Sequence, residues 1–431
     1  MPTTAVVMNM FYTGLGIARS LGEQGIPVIG LSAHPGVYGE FTRYARTIAC
    51  PDSRNEPEAL FPFLQRMGEE LRHRAVIFPT RDDDVLFLDR YREQLSPYFE
   101  LLIPESSVLQ ACLDKWQTYQ WALRAGVGAP RSWLIHGEQD LRRVIPELTY
   151  PCIMKPVESF HWRKGSNWNK VGGRKALAVS SREELFAEYA AVARADPRAL
   201  LQEMISGSDE CLVSAACYFD RESRLRASFT TQKLAQAPDR FGTGFIVQAI
   251  DRPEILEPTV RLLEKMHFTG IAEVEYKWDA GRKEYQLIEI NPRPWDQHRL
   301  GLSCGVNLVH IAYCDRAGLA LPIASKRPSA PKWIAEDTFF MTALGLLRRA
   351  DHTGLRSLFR LAQGKRSYAI WSARDPLPWF CYLIRRFIPG LIAVSARTLW
   401  SELRRRILGD AVRQEKEIVR VSHFDKGKSH G

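Results

Sequence analysis

Hydrophobic positions open this chain in short unbroken blocks. Ala5 to Met10 is apolar apart from Asn9, a turn holding Gly14 and Gly16 follows, Ile17 to Gln24 reads as a helix, and Pro27 to Leu31 is apolar again. Such blocks, alternating with helical stretches, predict strands buried on both faces of a parallel sheet in a βαβ arrangement. Ala75 to Phe78 repeats the pattern and runs into Pro79-Thr80-Arg81-Asp82-Asp83-Asp84, after which Val85 to Tyr91 reads as helix. Three carboxylates at a helix start are ordinary capping and dipole chemistry. The first domain is expected to close near Pro104.

Beyond it the pattern changes. Asp114 to Gly126 predicts a helix closed by its glycine, and Cys152 to Lys155 a strand. Val157 to Lys175 is too polar and irregular for core and predicts a mobile loop over a ligand. A strand at Ala176 to Val179 and a helix at Ser181 to Val192 follow, with Ser181 and Glu184 spaced as a capping box. Leu200 to Met204, Cys211 to Phe219, Leu225 to Thr231 and Phe245 to Ile250 predict antiparallel strands, and Pro253 to Met266 a helix.

Composition adds little until charge is resolved along the chain. With 431 residues, 45% hydrophobic and 25% charged, this is a globular chain of several domains, and disordered, collagenous and membrane-embedded classes are excluded. From Lys326 onward there are 21 basic and 9 acidic residues, a net of +12, against 38 and 40 before it. A near-neutral body with a basic tail predicts an anionic partner for the tail and argues against nucleic-acid binding by the body. The eight cysteines (Cys50, Cys112, Cys152, Cys211, Cys217, Cys304, Cys314, Cys381) contain no C-x-x-C pair and read as reduced thiols. Met1 to Met10 lacks the pattern of a secretory leader, so a cytoplasmic location is expected.

Gly14-Leu15-Gly16 raises a dinucleotide site, but Arg19 stands where a third glycine belongs and no acid closes the second strand. That segment is read as scaffold lining a substrate cleft.

The sharpest chemical signal is a strand at Gly270 to Lys277 followed, after a turn at Asp279 to Glu284, by a strand at Tyr285 to Arg293. Alternation puts Glu273, Glu275 and Lys277 on one face, and Glu289 with Asn291 on one face of the next strand. Pairing the strands brings Glu275, Glu289 and Asn291 together, a hard oxygen-only set suited to Mg²⁺ that shares ligands with a polyphosphate. Glu273 fits the solvent face of an amphipathic strand.

At these residues the chain resembles the ATP-grasp superfamily, carboxylate–amine ligase type, whose second nucleotide-binding lobe carries an acidic strand followed by Glu-x-Asn-x-Arg. The resemblance implies an α/β and α+β multidomain fold. Its parts are a Rossmann-like domain over 1–105, the two lobes of the ATP-grasp body over 106–197 and 198–325, and a basic helical extension over 326–431. It implies ATP, with Glu275, Glu289 and Asn291 holding its magnesium ions, two in number, Mn²⁺ being the alternative. Arg293 then steadies the activated acyl group. Lys115 matches the first phosphate-binding lysine, and Lys155 the lysine closing the strand before the flexible loop. Gln202 and Glu203 resemble the adenine-contacting hinge, and Glu210 the acid on the ribose hydroxyls. Thr231 to Gln236 with Phe241 to Gly244 is similar to the D-aspartate ligase branch, although Ala235 stands where arginine is frequent. Lys233 is the candidate for a phosphate or carboxylate contact. Asp296 or His298 is the candidate for orienting an amine, and Lys164, Lys170 and Lys175 stay open as loop contacts to phosphate.

In the tail, Leu377 to Trp400 is aromatic and apolar but interrupted by Arg385, Arg386 and Arg397, too short a run to span a bilayer. Ile392, Ala396, Leu399, Leu403 and Ile407 share one helical face, which predicts either docking of 377–408 on an anionic membrane surface or packing on the body or in a homodimer. The reaction implied is amide formation between a carboxylate and an amine, small or lipid-linked, through an acyl phosphate. The rival readings are a catalytically silent nucleotide-binding scaffold at the membrane, and an NAD-dependent or nucleotide-sugar enzyme using the first domain.

Overall fold

The computed structural model describes residues 3–163, 165–239, 241–325 and 330–390. The opening apolar blocks form a parallel five-stranded sheet from β1 (Ala5–Met8), β2 (Val28–Ser32), β3 (Arg46–Ala49), β4 (Ala75–Phe78) and β5 (Phe99–Leu101), in the order β3-β2-β1-β4-β5. Every residue of β1 and β4 is buried, as their unbroken apolar runs require. Gly14 and Gly16, read as a turn, lie inside the helix Tyr12–Gly22. A Cβ on Gly14 would stand 1.8 Å from the Asn9 carbonyl oxygen, and one on Gly16 2.7 Å from Nε2 of His298. Both glycines therefore allow close packing, and neither shapes a phosphate loop.

The second sheet is antiparallel: β6 (Ser132–Ile135), β7 (Cys152–Pro156), β8 (Leu177–Val179) and β9 (Ala199–Glu203), ordered β6-β9-β7-β8. β9, expected in the following lobe, pairs here with β6 and β7. The helix Lys115–Ala125 leads into this sheet. Asp114 caps its start by accepting from the amides of Trp116 and Gln117, and Gly126, at φ +62°, ends it in the left-handed region.

The third sheet comprises β10 (Leu212–Phe219), β11 (Leu225–Ala237), β12 (Thr243–Ile250), β13 (Gly270–Asp279), β14 (Glu284–Asn291), β15 (Lys332–Ile334) and β16 (Arg366–Tyr368), ordered β14-β13-β10-β11-β12-β15-β16. The helix Pro253–Lys265 packs Ile255, Leu262 and Leu263 against Val213, Ala215, Ala272, Val274 and Tyr276 on one face. Each of those three aliphatic side chains is fully buried and contributes roughly 1.5–3 kcal/mol. Because Ala272, Val274 and Tyr276 point into this core, Glu273 and Glu275 must point to the opposite face.

The basic region from 326 was expected as a helical extension, either docking on a membrane surface or packing on the body. Its first part belongs to the body itself. β15 pairs antiparallel with β12, β16 pairs parallel with β15, and the helices Glu336–Arg348 and His352–Leu361 lie between them in sequence. The buried Glu336 carboxylate accepts the backbone N–H groups of Ala369, Ile370 and Trp371. Asp375 accepts from Nε of Arg19 at 2.9 Å, Oγ1 of Thr42 at 2.6 Å and the amide of Arg43 at 3.0 Å. The chain divides into two compact units, Met1–Pro378 and Trp379–Gly431. In the second unit Trp379 and Tyr382 stack with ring centroids 5.8 Å apart. The amphipathic stripe from Ile392 to Ile407 lies outside the described residues. Among the described residues no helix is long and apolar enough to cross a membrane, and all eight cysteines are free.

Candidate active site

The β13–β14 hairpin sets Glu275 directly opposite Glu289, and Glu273 opposite Asn291. Strict alternation would place Leu287 on the same face as Glu289. The register instead shifts between Glu275 and Tyr276, so that Tyr276 pairs with Leu287 and Ile288 is the extra residue of a bulge. The bulge lets Leu287 enter the core while Glu289 turns to the other face. Nδ2 of Asn291 donates to Oε2 of Glu273 at 3.3 Å and to Oε1 of Glu289 at 3.4 Å. Lys233, on β11 two strands away, donates from Nζ to Oε2 of Glu275 at 2.8 Å. The expected trio is thus brought together with Lys233 and with a third carboxylate. Glu273 does not face open solvent: burial first, then the neighbouring Glu275, pushes its carboxyl up to about 8 against the pull of Lys233.

Lysines converge on these acids from the second sheet and its flanks. Lys155, the penultimate residue of β7, is buried and donates to Oε1 of Gln202 on β9 at 2.8 Å; Gln202 in turn donates to Oγ of Ser132. Burial and the neighbouring Lys115 lower the Lys155 ammonium to about 7, although Glu289 and Glu275 oppose the shift. Lys115 donates to Oγ of Ser159 at 2.8 Å. Burial alone would raise the Glu289 carboxyl; Lys115, Lys155, Lys233 and Lys175 together hold it below its usual range. A small cleft open to solvent is lined here by Asp82, Lys115, Ser159, Phe160, Glu289 and Asn291 among others.

The first domain reaches the same place. Nε of Arg293 donates to Oδ1 of Asp82 at 2.7 Å, and Oγ1 of Thr13 donates to Oδ1 of Asp296 at 2.7 Å. Asp82 was read only as a capping acid, and its sequence position held no signal of this pairing. His298, an expected amine-orienting group, is buried with Nε2 on the Thr13 carbonyl at 3.2 Å, and burial lowers its imidazole to about 4. It is a neutral N–H donor that anchors the helix Tyr12–Gly22.

The remaining expected contacts are dispersed. The Glu203 carboxylate accepts from Arg282 at 2.6 Å and from the Arg131 amide at 3.2 Å. Glu210 is exposed, its carbonyl accepting from Gln232. Lys175 donates to Oγ1 of Thr243, whereas Lys170 donates to Asn167 and the Arg194 carbonyl. Lys164 lies outside the described residues.

No family model matches the chain. Among curated proteins it is 22% identical over 289 residues to a D-aspartate ligase of Enterococcus faecium, covering 64% of this chain and 68% of that one. It is 28% identical over 196 residues to the vancomycin/teicoplanin A-type resistance protein VanA of Enterococcus faecium, covering 42% of this chain and 53% of that protein, about half its length. Among solved structures, biotin carboxylase of Campylobacter jejuni in complex with β,γ-ATP superposes with a TM-score of 0.59 at 17% identity, covering 75% of this chain and 73% of the other. This chain has the ATP-grasp fold. The cleft lies where the helix start at Asp82, the start of the helix Lys115–Ala125, the segment Ser159 and Phe160 after β7, and the end of β14 meet.

Proposed function

We propose that the chain is an ATP-dependent ligase that joins a carboxylate to an amine, releasing ADP and phosphate. The observation that carries this reading is the facing of Glu275 and Glu289 across one hairpin, with Asn291 bonded to Glu289 and four lysines acting on that carboxylate. The names of its relatives, a D-aspartate ligase among them, support the ligase class.

The donor set fits a hard divalent cation. Two carboxylates and an amide are oxygen donors of the right kind, and among the described residues no three His, Cys, Asp or Glu side chains form a metal site by themselves. An ion held by Glu275, Glu289 and Asn291 would therefore complete its shell from a polyphosphate. Mg²⁺, in two ions, is the proposed metal, and when bound it would neutralise charge on the triphosphate. Lys115 and Lys155 would hold phosphate oxygens. Lys233 forms a salt bridge with Glu275 and would neutralise either that acid or an incoming anion. Arg293 presents a guanidinium to an oxyanion as the acid is phosphorylated and as the amine displaces phosphate. The basic stretch 377–408 would bring a lipid-linked or polymer-linked substrate close by docking on an anionic surface.

The test is ADP release across a panel of amino acids and amines with Mg²⁺ present. Release that depends on an added acid and amine is expected. Nucleotide binding without turnover across the panel would favour a silent scaffold. Glu289→Gln is expected to lower turnover by at least about a hundredfold, because several kcal/mol of charge stabilisation depend on the cation. Unchanged turnover in that variant would remove Glu289 from the metal site.

A further inference from the structure

Resting on the ligase reading above, we propose that Asp82 is a positioning residue for the reaction. Its carboxylate, supplied by the first domain, orients the Arg293 guanidinium toward the reacting oxygens.

Arg293 is restrained on each of its three nitrogens. Nε donates to Oδ1 of Asp82 at 2.7 Å, Nη1 to the Pro294 carbonyl at 3.3 Å and Nη2 to Oδ1 of Asn291 at 3.5 Å. The last two acceptors lie within two residues of Arg293 in sequence and bond it at the long end of the range. The Asp82 bond is short, charge-assisted and spans 211 residues of sequence. A guanidinium carries five N–H groups, so three bonds leave two for an oxyanion. A carboxylate on Nε alone fixes the plane of the group without covering both outer nitrogens, as a bidentate pair on Nη1 and Nη2 would.

The helix that Asp82 opens does not need it as a cap. Asp84 does that work: it is fully buried and accepts from Asn9, Ser53, the Thr80 amide and Arg81. Asp83 pairs with Arg54 at 2.6 Å. Asp82 instead turns into the cleft, where it lines the wall with Lys115, Ser159, Glu289 and Asn291. Its side chain and that of Arg293 are 18% and 17% exposed, shielded from solvent yet open to a ligand. Burial acts to lower the Arg293 pKa, but Asp82, Asp296 and Glu273 raise it, so the group stays charged where an anion must be met.

The experiment measures acid- and amine-dependent ADP release in the full chain carrying Asp82→Asn, Asp82→Glu, Arg293→Lys and the Asp82→Asn/Arg293→Lys pair. Asp82→Asn is expected to lower kcat about tenfold to a hundredfold while KM for ATP stays within about twofold, the pattern of a misdirected group. Asp82→Glu, which keeps the charge, is expected to recover part of the loss. Asp82→Asn is expected to add little in the Arg293→Lys background, since both changes remove one function. A full kcat in Asp82→Asn, or the same fold-loss with and without Arg293, would overturn the proposal. Should the wild type release no ADP with any acceptor, the ligase reading falls by itself. The Asp82–Arg293 coupling is then decided by the Arg293 Nε–H resonance in ¹⁵N-arginine protein, identified by its loss in Arg293→Lys. Slow exchange that becomes fast in Asp82→Asn supports the coupling, and an unchanged resonance overturns it.

Discussion

Lys155 shows how one buried residue ties the cleft to pH. Its ammonium is lowered to about 7, whereas an unfolded lysine titrates near 10.4, so between those values the unfolded chain binds more protons. This group's unfavourable contribution to stability is therefore full below pH 7 and is relieved as pH rises toward about 10.4. Under the ligase reading, a triphosphate beside Lys155 restores the charge. At pH 8 nucleotide binding is expected to take up a fraction of a proton, approaching one, that Lys155→Arg does not take up, since arginine stays protonated. Calorimetry in buffers of different ionisation heat measures the difference, and equal uptake in both proteins would exclude Lys155 as the titrating group. At this scale the sequence was readable where period decides: alternation alone brought Glu275, Glu289 and Asn291 to one place. It misplaced Glu273 on solvent, because whether a strand face meets water or a second lobe depends on what packs over it. Partners such as Asp82 for Arg293 and Gln202 for Lys155 come from distant segments and leave no local mark.

Under the ligase reading, the helix Lys115–Ala125 carries the first of the proposed phosphate-binding lysines. Its first residue is Lys115, its cap is Asp114, and the Lys115 amide donates to the Val157 carbonyl at 3.0 Å, joining the helix start to the end of β7. Asp114→Ala removes the acceptor for two amides and is expected to cost about 1 kcal/mol in urea unfolding. It should also raise KM for ATP, because Lys115 is carried by the turn that loosens. Asp114→Asn retains an acceptor oxygen and is expected to restore most of both, and equal loss in the two variants would show that charge, not capping, is what matters there. Both ends of this helix were legible, since Asp and Gly mark caps by chemistry that needs no tertiary context. The helix at Ser181 was legible for the same reason: its hydroxyl accepts the Glu184 amide at 3.2 Å. Gly14 and Gly16 misled because glycine signals equally a turn and a place where another chain segment comes close. β11 was expected to stop at Thr231 and runs to Ala237. Its polar end pairs with β12 through two register shifts on either side of Ala235, and there Lys233 meets Glu275. Its polar residues are used in bonds to other segments, Gln232 to the Glu210 carbonyl and Gln236 to Asp209, and a hydrophobicity pattern reads such a stretch as loop.

In the molecule as a whole, charge pointed to the wrong place for the body to end. The change of composition at 326 is real, but β15 and β16 are three-residue strands with no alternation to betray them, and their partners are sheet edges formed by distant residues. What ties the segment down is polar and buried: Asp375 and Arg19 are each 1% exposed and form an ion pair at 2.9 Å. Removing one partner of such a pair leaves the other charge without compensation, so Asp375→Ala is expected to cost roughly 3–5 kcal/mol. Two truncations extend the argument. A chain of residues 1–378 retains Glu336, its three amide donors and Asp375, and should unfold in one transition close to that of the full chain, with ligase turnover intact. A chain of residues 1–325 loses β15, β16 and Asp375 together, strands Arg19 in the interior and exposes the edge of β12. It should therefore be less stable than Asp375→Ala by itself. Thermal unfolding of the three proteins side by side measures this order. A 1–325 chain as stable as 1–378 would mean that the body closes before β15 and that the basic region is an appendage after all.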